Sequence, residues 1–154
     1  MRLVLDTNVV VSGLLWNGAP AQLIDLARMD EIEVFSSRVL LGELTRIFRR
    51  AKFGRTITAS GMTLDELVLG YSELATLVMP AEIPPTILRD PDDDHVLACA
   101  LAAGVEWIVS GDRDLLEAEA FRGMPHCHCG ARRSHCCQQT RVIGRVAPPV
   151  ASCD

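Results

Sequence analysis

Glu43 is the residue that packing alone explains least. In a helix predicted from Ser37 to about Arg50, residues Val39, Leu40, Glu43, Leu44, Ile47 and Phe48 recur at i, i+3, i+4, i+7 spacing, and Glu43 is the only member that is not apolar. A carboxylate is thereby turned toward the core side, where an ion without a partner takes up a proton or finds a cation. The plainer reading is a partner arginine or a place at the stripe edge. Asp94 repeats the pattern. Asp90 serves as N-cap, Pro91 as the first helical residue and Asp93 as an acid complementing the macrodipole, so capping does not require Asp94. It falls on a stripe with Leu97, Ala98 and Leu101; an acid-rich first turn is the plainer account. Asp6 ends an apolar strand, and Asp112 follows another with Asp114 close behind. Either could be a turn or cap residue if it stood alone.

Brought to one sheet edge, four carboxylates repel one another unless divalent cations sit between them. Oxygen-only donors with retained waters suit Mg²⁺ or Mn²⁺. Such a site holds a phosphodiester oxygen, lowers the pKa of a bound water and stabilises a leaving oxygen, so the chemistry implied is phosphodiester hydrolysis. The net charge of −5 gives no global attraction to nucleic acid. A local patch exists: Arg46, Arg49, Arg50, Lys52 and Arg55 fall in a stretch with no acid from Leu44 to Leu64. Its plainer reading is a solvated helix end.

The elements that would position these acids alternate. Arg2 to Leu5 reads as a strand ending at Asp6, and Ala19-Pro20 opens a helix carrying Leu23, Ile24, Leu26 and Ala27. Ile32 to Phe35 reads as a second strand, and Ser36-Ser37 caps the Glu43 helix. Phe53 to Gly61, rich in Gly, Thr and Ser, reads as a loop or hinge. Thr63 and Glu66 form a capping box for a helix through about Thr76. Leu77 to Met79 is a candidate third strand; a helix from Asp90-Pro91 ends at Gly104, and Val105 to Val109 is a fourth strand. Strands separated by helices require parallel pairing, so the fold class is α/β: a three-layer α/β/α sandwich with a central, mostly parallel sheet. Ligands in such sheets bind beyond the carboxyl ends of the strands, where Asp6 and the Ser110-Gly111-Asp112 turn both fall.

At 154 residues, with 49% apolar and 23% charged composition, the chain suits one globular domain and excludes a fibrous or disordered one. No apolar run approaches the ~20 residues that span a bilayer, and the N-terminus lacks a cleavable-signal pattern, which points to the cytoplasm and no membrane partner.

The motifs resemble those of PIN domains. Leu3-Val-Leu-Asp-Thr-Asn8, the Glu43 helix, Asp94-His-Val-Leu-Ala-Cys-Ala100 and Ile108-Val-Ser-Gly-Asp-Arg-Asp-Leu115 stand in the family's order, over about Met1 to Met124. The branch they look like is that of VapC-like toxin components of toxin–antitoxin systems. The resemblance implies an endoribonuclease dependent on Mg²⁺ or Mn²⁺, a homodimer inhibited by a small antitoxin and acting on RNA. By position it implies that Asp6, Glu43, Asp94 and Asp112 are the catalytic, metal-binding acids. Asn8 and Ser110 would orient carboxylates or a metal-bound water, and Asp114 competes with Asp112. In this light Arg46, Arg49, Arg50 and Lys52 become candidates for contact with the RNA backbone.

Residues 126–154 differ in kind from the nuclease-like domain at 1–125. Five of six cysteines lie in the last 28 residues, and seven Cys and His residues lie between His126 and Cys137. The C-x-C and C-C spacings offer no usual zinc knuckle. His-Cys-His-Cys-Gly can be encoded so that dropping one base gives Ile-Val-Thr-Ala, the strand and helix start that the family has there. The expectation is an aberrant, out-of-frame or disordered tail, a sheet without its last edge strand, and marginal folding. Two other readings follow: a silent or unstable remnant that only binds antitoxin or RNA, and a different Mg²⁺ enzyme such as a phosphatase. The latter usually has a second acid two residues beyond the first, where this chain has Asn8.

Overall fold

Every second residue of a half-paired strand points to the same face, and in this chain both faces are apolar, so both must be covered. The computed structural model describes residues 1–85, 92–111 and 126–128, the last three by backbone alone. Strands β1 (Arg2–Leu5), β2 (Glu33–Ser36), β3 (Thr76–Leu77), β4 (Trp107–Ser110) and β5 (His126–His128) form one parallel sheet in the order β3-β2-β1-β4-β5. The register aligns Leu3 with Val34 and Leu5 with Val109, and all four enter one core cluster. It aligns Val4 with Phe35 and with Ile108, and these three enter the other.

Helices close both faces. The first cluster takes side chains from α1 (Thr7–Leu15), α2 (Ala19–Arg28), α3 (Arg38–Phe48), α4 (Ala51–Ala59) and α5 (Leu64–Leu74). The second takes Val96, Leu97, Cys99, Ala100 and Ala103 of α6 (Asp93–Ala103), with Leu40 of α3. Each buried Val, Leu, Ile or Phe among them contributes ~1.5–3 kcal/mol, so the three-layer α/β/α arrangement follows from a sheet that is apolar on both sides. Among the described residues no helix is long and apolar enough to cross a membrane.

Several local expectations hold for the reasons given. Ser37 Oγ accepts from the Leu40 amide at 3.3 Å, and Thr63 and Glu66 form the reciprocal capping box. Gly104 ends α6 at φ +57°, a conformation that costs a residue with a Cβ and not glycine. Others are corrected. The sequence pattern marks no helix at residues 7–15, yet they form α1, in which Val9, Val10 and Val11 are all buried. The segment expected as a loop from Phe53 to Gly61 is mostly α4: Phe53 and Ile57, one helical turn apart, enter the core, and that packing overrides the poor propensities of Gly54, Thr56 and Thr58. The third strand sits at Thr76–Leu77 rather than Leu77 to Met79. Helix α6 begins at Asp93; Asp90 and Pro91, expected to start it, lie outside the described residues. The sheet does not lack its edge strand, because β5 pairs with β4, aligning Ile108 with His126 and Ser110 with His128. Residues 129–154 of the expected aberrant tail lie outside the described residues.

Helices α1 and α2 approach closely at Gly13, where a Cβ would stand 2.8 Å from both the Ile24 side chain and the Pro20 carbonyl oxygen. One contact is backbone and cannot rotate away. Gly13→Ala is therefore expected to destabilise the fold by ~1–3 kcal/mol, measured by denaturant unfolding; an unchanged midpoint would contradict the packing described.

Candidate active site

The strand order reverses direction across β1: the chain builds outward through β2 and β3, then returns to the other side of β1 with β4. The crevice at this switch lies beyond the carboxyl ends of β1 and β4, and there Asp6 and Ser110 stand. Asp6 links strand to helix. Its amide donates to the Val109 carbonyl at 2.9 Å, and its own carbonyl accepts from Val10 at 3.0 Å to start α1. The carboxylate makes no capping bond to that helix. Instead Ser110 Oγ donates to Asp6 Oδ2 at 2.9 Å, between two side chains that are almost wholly buried.

Glu43 comes from α3, whose Leu40, Leu44, Ile47 and Phe48 fix the helix against the sheet. The expected stripe is present with one difference: Val39 is exposed, so the stripe edge runs between it and the half-buried Glu43. Burial pushes the Glu43 carboxyl above the ordinary glutamate range, and the negative charges of Asp92 and Asp6 push it further. The buried Thr7 hydroxyl and the Arg46 guanidinium oppose the rise, although Thr7 Oγ1 sits outside strict hydrogen-bond geometry. Glu43 thus feels acids from two other elements, as a multi-carboxylate centre requires.

The third element is the start of α6. Arg46 Nη2 donates to Asp92 Oδ2 at 2.6 Å, tying the Glu43 helix to this turn. Both partners are about half exposed, so the pair contributes ~1 kcal/mol at most to stability. Its effect is on position. The acid expected at the core face was Asp94, with Asp93 at the macrodipole; the structure buries Asp93 and leaves Asp94 half-buried. The helix is buried on most of its circumference, and Asp93, Val96, Leu97 and Ala100 form the more deeply buried stripe. That stripe was readable at the same spacing. Asp92, Asp93 and Thr7 are the residues near the acids that sequence reasoning did not assign to the site.

Asn8 is exposed on the first turn of α1. Arg46, Arg49, Arg50 and Lys52 are all exposed along the α3–α4 junction. Asp112 and Asp114 lie outside the described residues. Among the described residues, no three His, Cys, Asp or Glu side chains stand close enough together to hold one ion. The donor chemistry nonetheless fits a hard cation: the groups are carboxylates, and a divalent ion would relieve both the burial that chiefly raises Glu43 and the lesser repulsion from Asp92 and Asp6.

Comparison with curated proteins and with solved structures returned no match. The family model of the PIN domain matches residues 2–114, from β1 through the acids at α6 to just past β4. PIN domains are typically metal-dependent nucleases, which agrees with a buried acid, Asp6, at the switch point of a parallel sheet. The chain belongs to the PIN-domain family.

Proposed function

We propose that the protein is a metal-dependent endoribonuclease that hydrolyses RNA phosphodiester bonds, and that it is the toxin of a type II toxin–antitoxin pair. The observation that carries the nuclease reading is the buried Asp6 carboxylate, held by Ser110 beyond the carboxyl ends of β1 and β4, with the half-buried Glu43 of α3 near enough to feel its charge. Asp6, Glu43, Asp94 and Asp112 would hold Mg²⁺ or Mn²⁺. When bound, the ion supplies Lewis-acid activation of water and charge stabilisation at the phosphate. Ser110 holds the Asp6 carboxylate in one orientation, and Asn8 and Asp114 act beside it as supporting polar groups. Arg46, Arg49, Arg50 and Lys52 bind the RNA backbone, with Arg46 shared with Asp92. The toxin assignment carries with it a small antitoxin partner, a homodimer and a cytoplasmic location. Incubation of the purified chain with a generic single-stranded RNA is expected to give Mg²⁺-dependent cleavage that EDTA abolishes. Intact RNA in Mg²⁺, with RNA binding retained, would instead identify a catalytically silent binder.

A further inference from the structure

A tryptophan normally buries most of its surface, yet Trp16, just past the end of α1, leaves 48% of its surface exposed. It is not adrift. Its ring stands 6.0 Å from that of Phe53 at an interplanar angle of 55°, and Phe53 is itself backed edge-on by Phe48 at 6.5 Å. Lys52 Nζ lies 4.8 Å from the centre of the Phe53 ring. The expected loop would have left no firm support here; α4 instead fixes Phe53 beneath the indole.

The α3–α4 segment beneath the ring carries one sign of charge. Arg49, Arg50, Lys52 and Arg55 are exposed, and the sequence from Leu44 to Leu64 has no acid. An exposed ring anchored on a second ring and bordered by cations is suited to a polyanion that also offers flat apolar faces, and an unpaired nucleic-acid strand has both. Helix α1 links Asp6 at its N-cap to Trp16 at its C-cap, about 15 Å apart at the helical rise, so one rigid element sets the distance between that acid and the ring. We infer that Trp16, supported by Phe53 and Lys52, is a stacking subsite for an unpaired base of the RNA strand, and that it makes the enzyme prefer single-stranded over duplex substrate. This rests on the reading of RNA as substrate and goes beyond it, since none of the acids takes part.

Binding is measured with the full chain in EDTA, so that no cleavage intervenes, using a short single-stranded oligoribonucleotide and the same sequence as a duplex. The single strand is expected to quench tryptophan fluorescence, and the quench is expected to vanish in Trp16→Phe, which leaves Trp107 untouched. Trp16→Ala is expected to weaken single-strand binding about ten-fold, with Trp16→Phe recovering most of the loss and duplex affinity unchanged in both. Equal single-strand affinity in Trp16→Ala, no quench, or an equal loss for duplex would each overturn the subsite. So would a Trp16→Ala defect confined to binding a protein partner. The nuclease reading fails separately: if RNA stays intact in Mg²⁺ while the Trp16 quench persists, the subsite stands without the reaction.

Discussion

Asp6→Asn is expected to lower Mg²⁺-dependent RNA cleavage by more than about 100-fold while leaving the protein folded. The estimate starts from the loss of an outer-sphere partner of a metal ligand, which alone costs about 10–100-fold; Asp6 is proposed as a ligand, so its loss should exceed that range. The fold should tolerate the change because asparagine is nearly isosteric and can still accept from Ser110 Oγ, now 2.9 Å from Asp6 Oδ2. The substitution also removes a charge from a residue that is 3% exposed, so unfolding should require no less denaturant than in the parent chain. Undiminished cleavage would remove Asp6 from the reaction.

Glu43→Gln is expected to separate activity from stability in opposite directions. Cleavage should fall by a similar factor, but without divalent ions the folded state should gain up to ~1 kcal/mol at neutral pH, a figure kept small because Glu43 is half exposed to screening solvent. The pH dependence has a definite sign. The folded Glu43 carboxyl is raised above its unfolded value of 4.5, first by burial and then by Asp92 and Asp6, so the folded state binds the proton more tightly than the unfolded state does. Ionisation of Glu43 therefore costs stability as pH rises through the folded value, and below about 4.5 both states are protonated and the cost disappears. The advantage of Glu43→Gln should be absent in acid, appear above the ordinary glutamate range and be complete at neutral pH. Thermal melts in EDTA across that range provide the measurement. A destabilised glutamine variant at neutral pH would mean that Glu43 already has a stabilising partner and feels no net repulsion.

The parts of this site that could be read from sequence are those in which one period dominates. Asp6 stands out because a short apolar strand ends on it, and Glu43 because it interrupts an otherwise apolar stripe on α3. Where two periods fit equally, pattern alone could not choose. Helix α6 is apolar on most of its surface, so Asp93 and Asp94 each fall on a plausible inward stripe, and the packing of the helix in the fold makes Asp93 the more buried. Local composition hid two helices. Val9, Val10 and Val11 are β-branched and read poorly as α1, and the Gly-Thr-Ser content of α4 conceals Phe53 and Ile57, whose burial is decided by contacts with distant residues. The short β5 illustrates the same limit from the other side: His126–His128 carry no strand signal, and the parallel ladder along β4 organises them.

Manganese binding followed by electron paramagnetic resonance, on the parent chain and on Asp6→Asn and Glu43→Gln, asks most directly whether these acids share a cation. The parent chain should remove free Mn²⁺ from solution, and each variant should lose that binding while remaining folded. Equal Mn²⁺ uptake by all three proteins would mean that Asp6 and Glu43 do not form a metal centre.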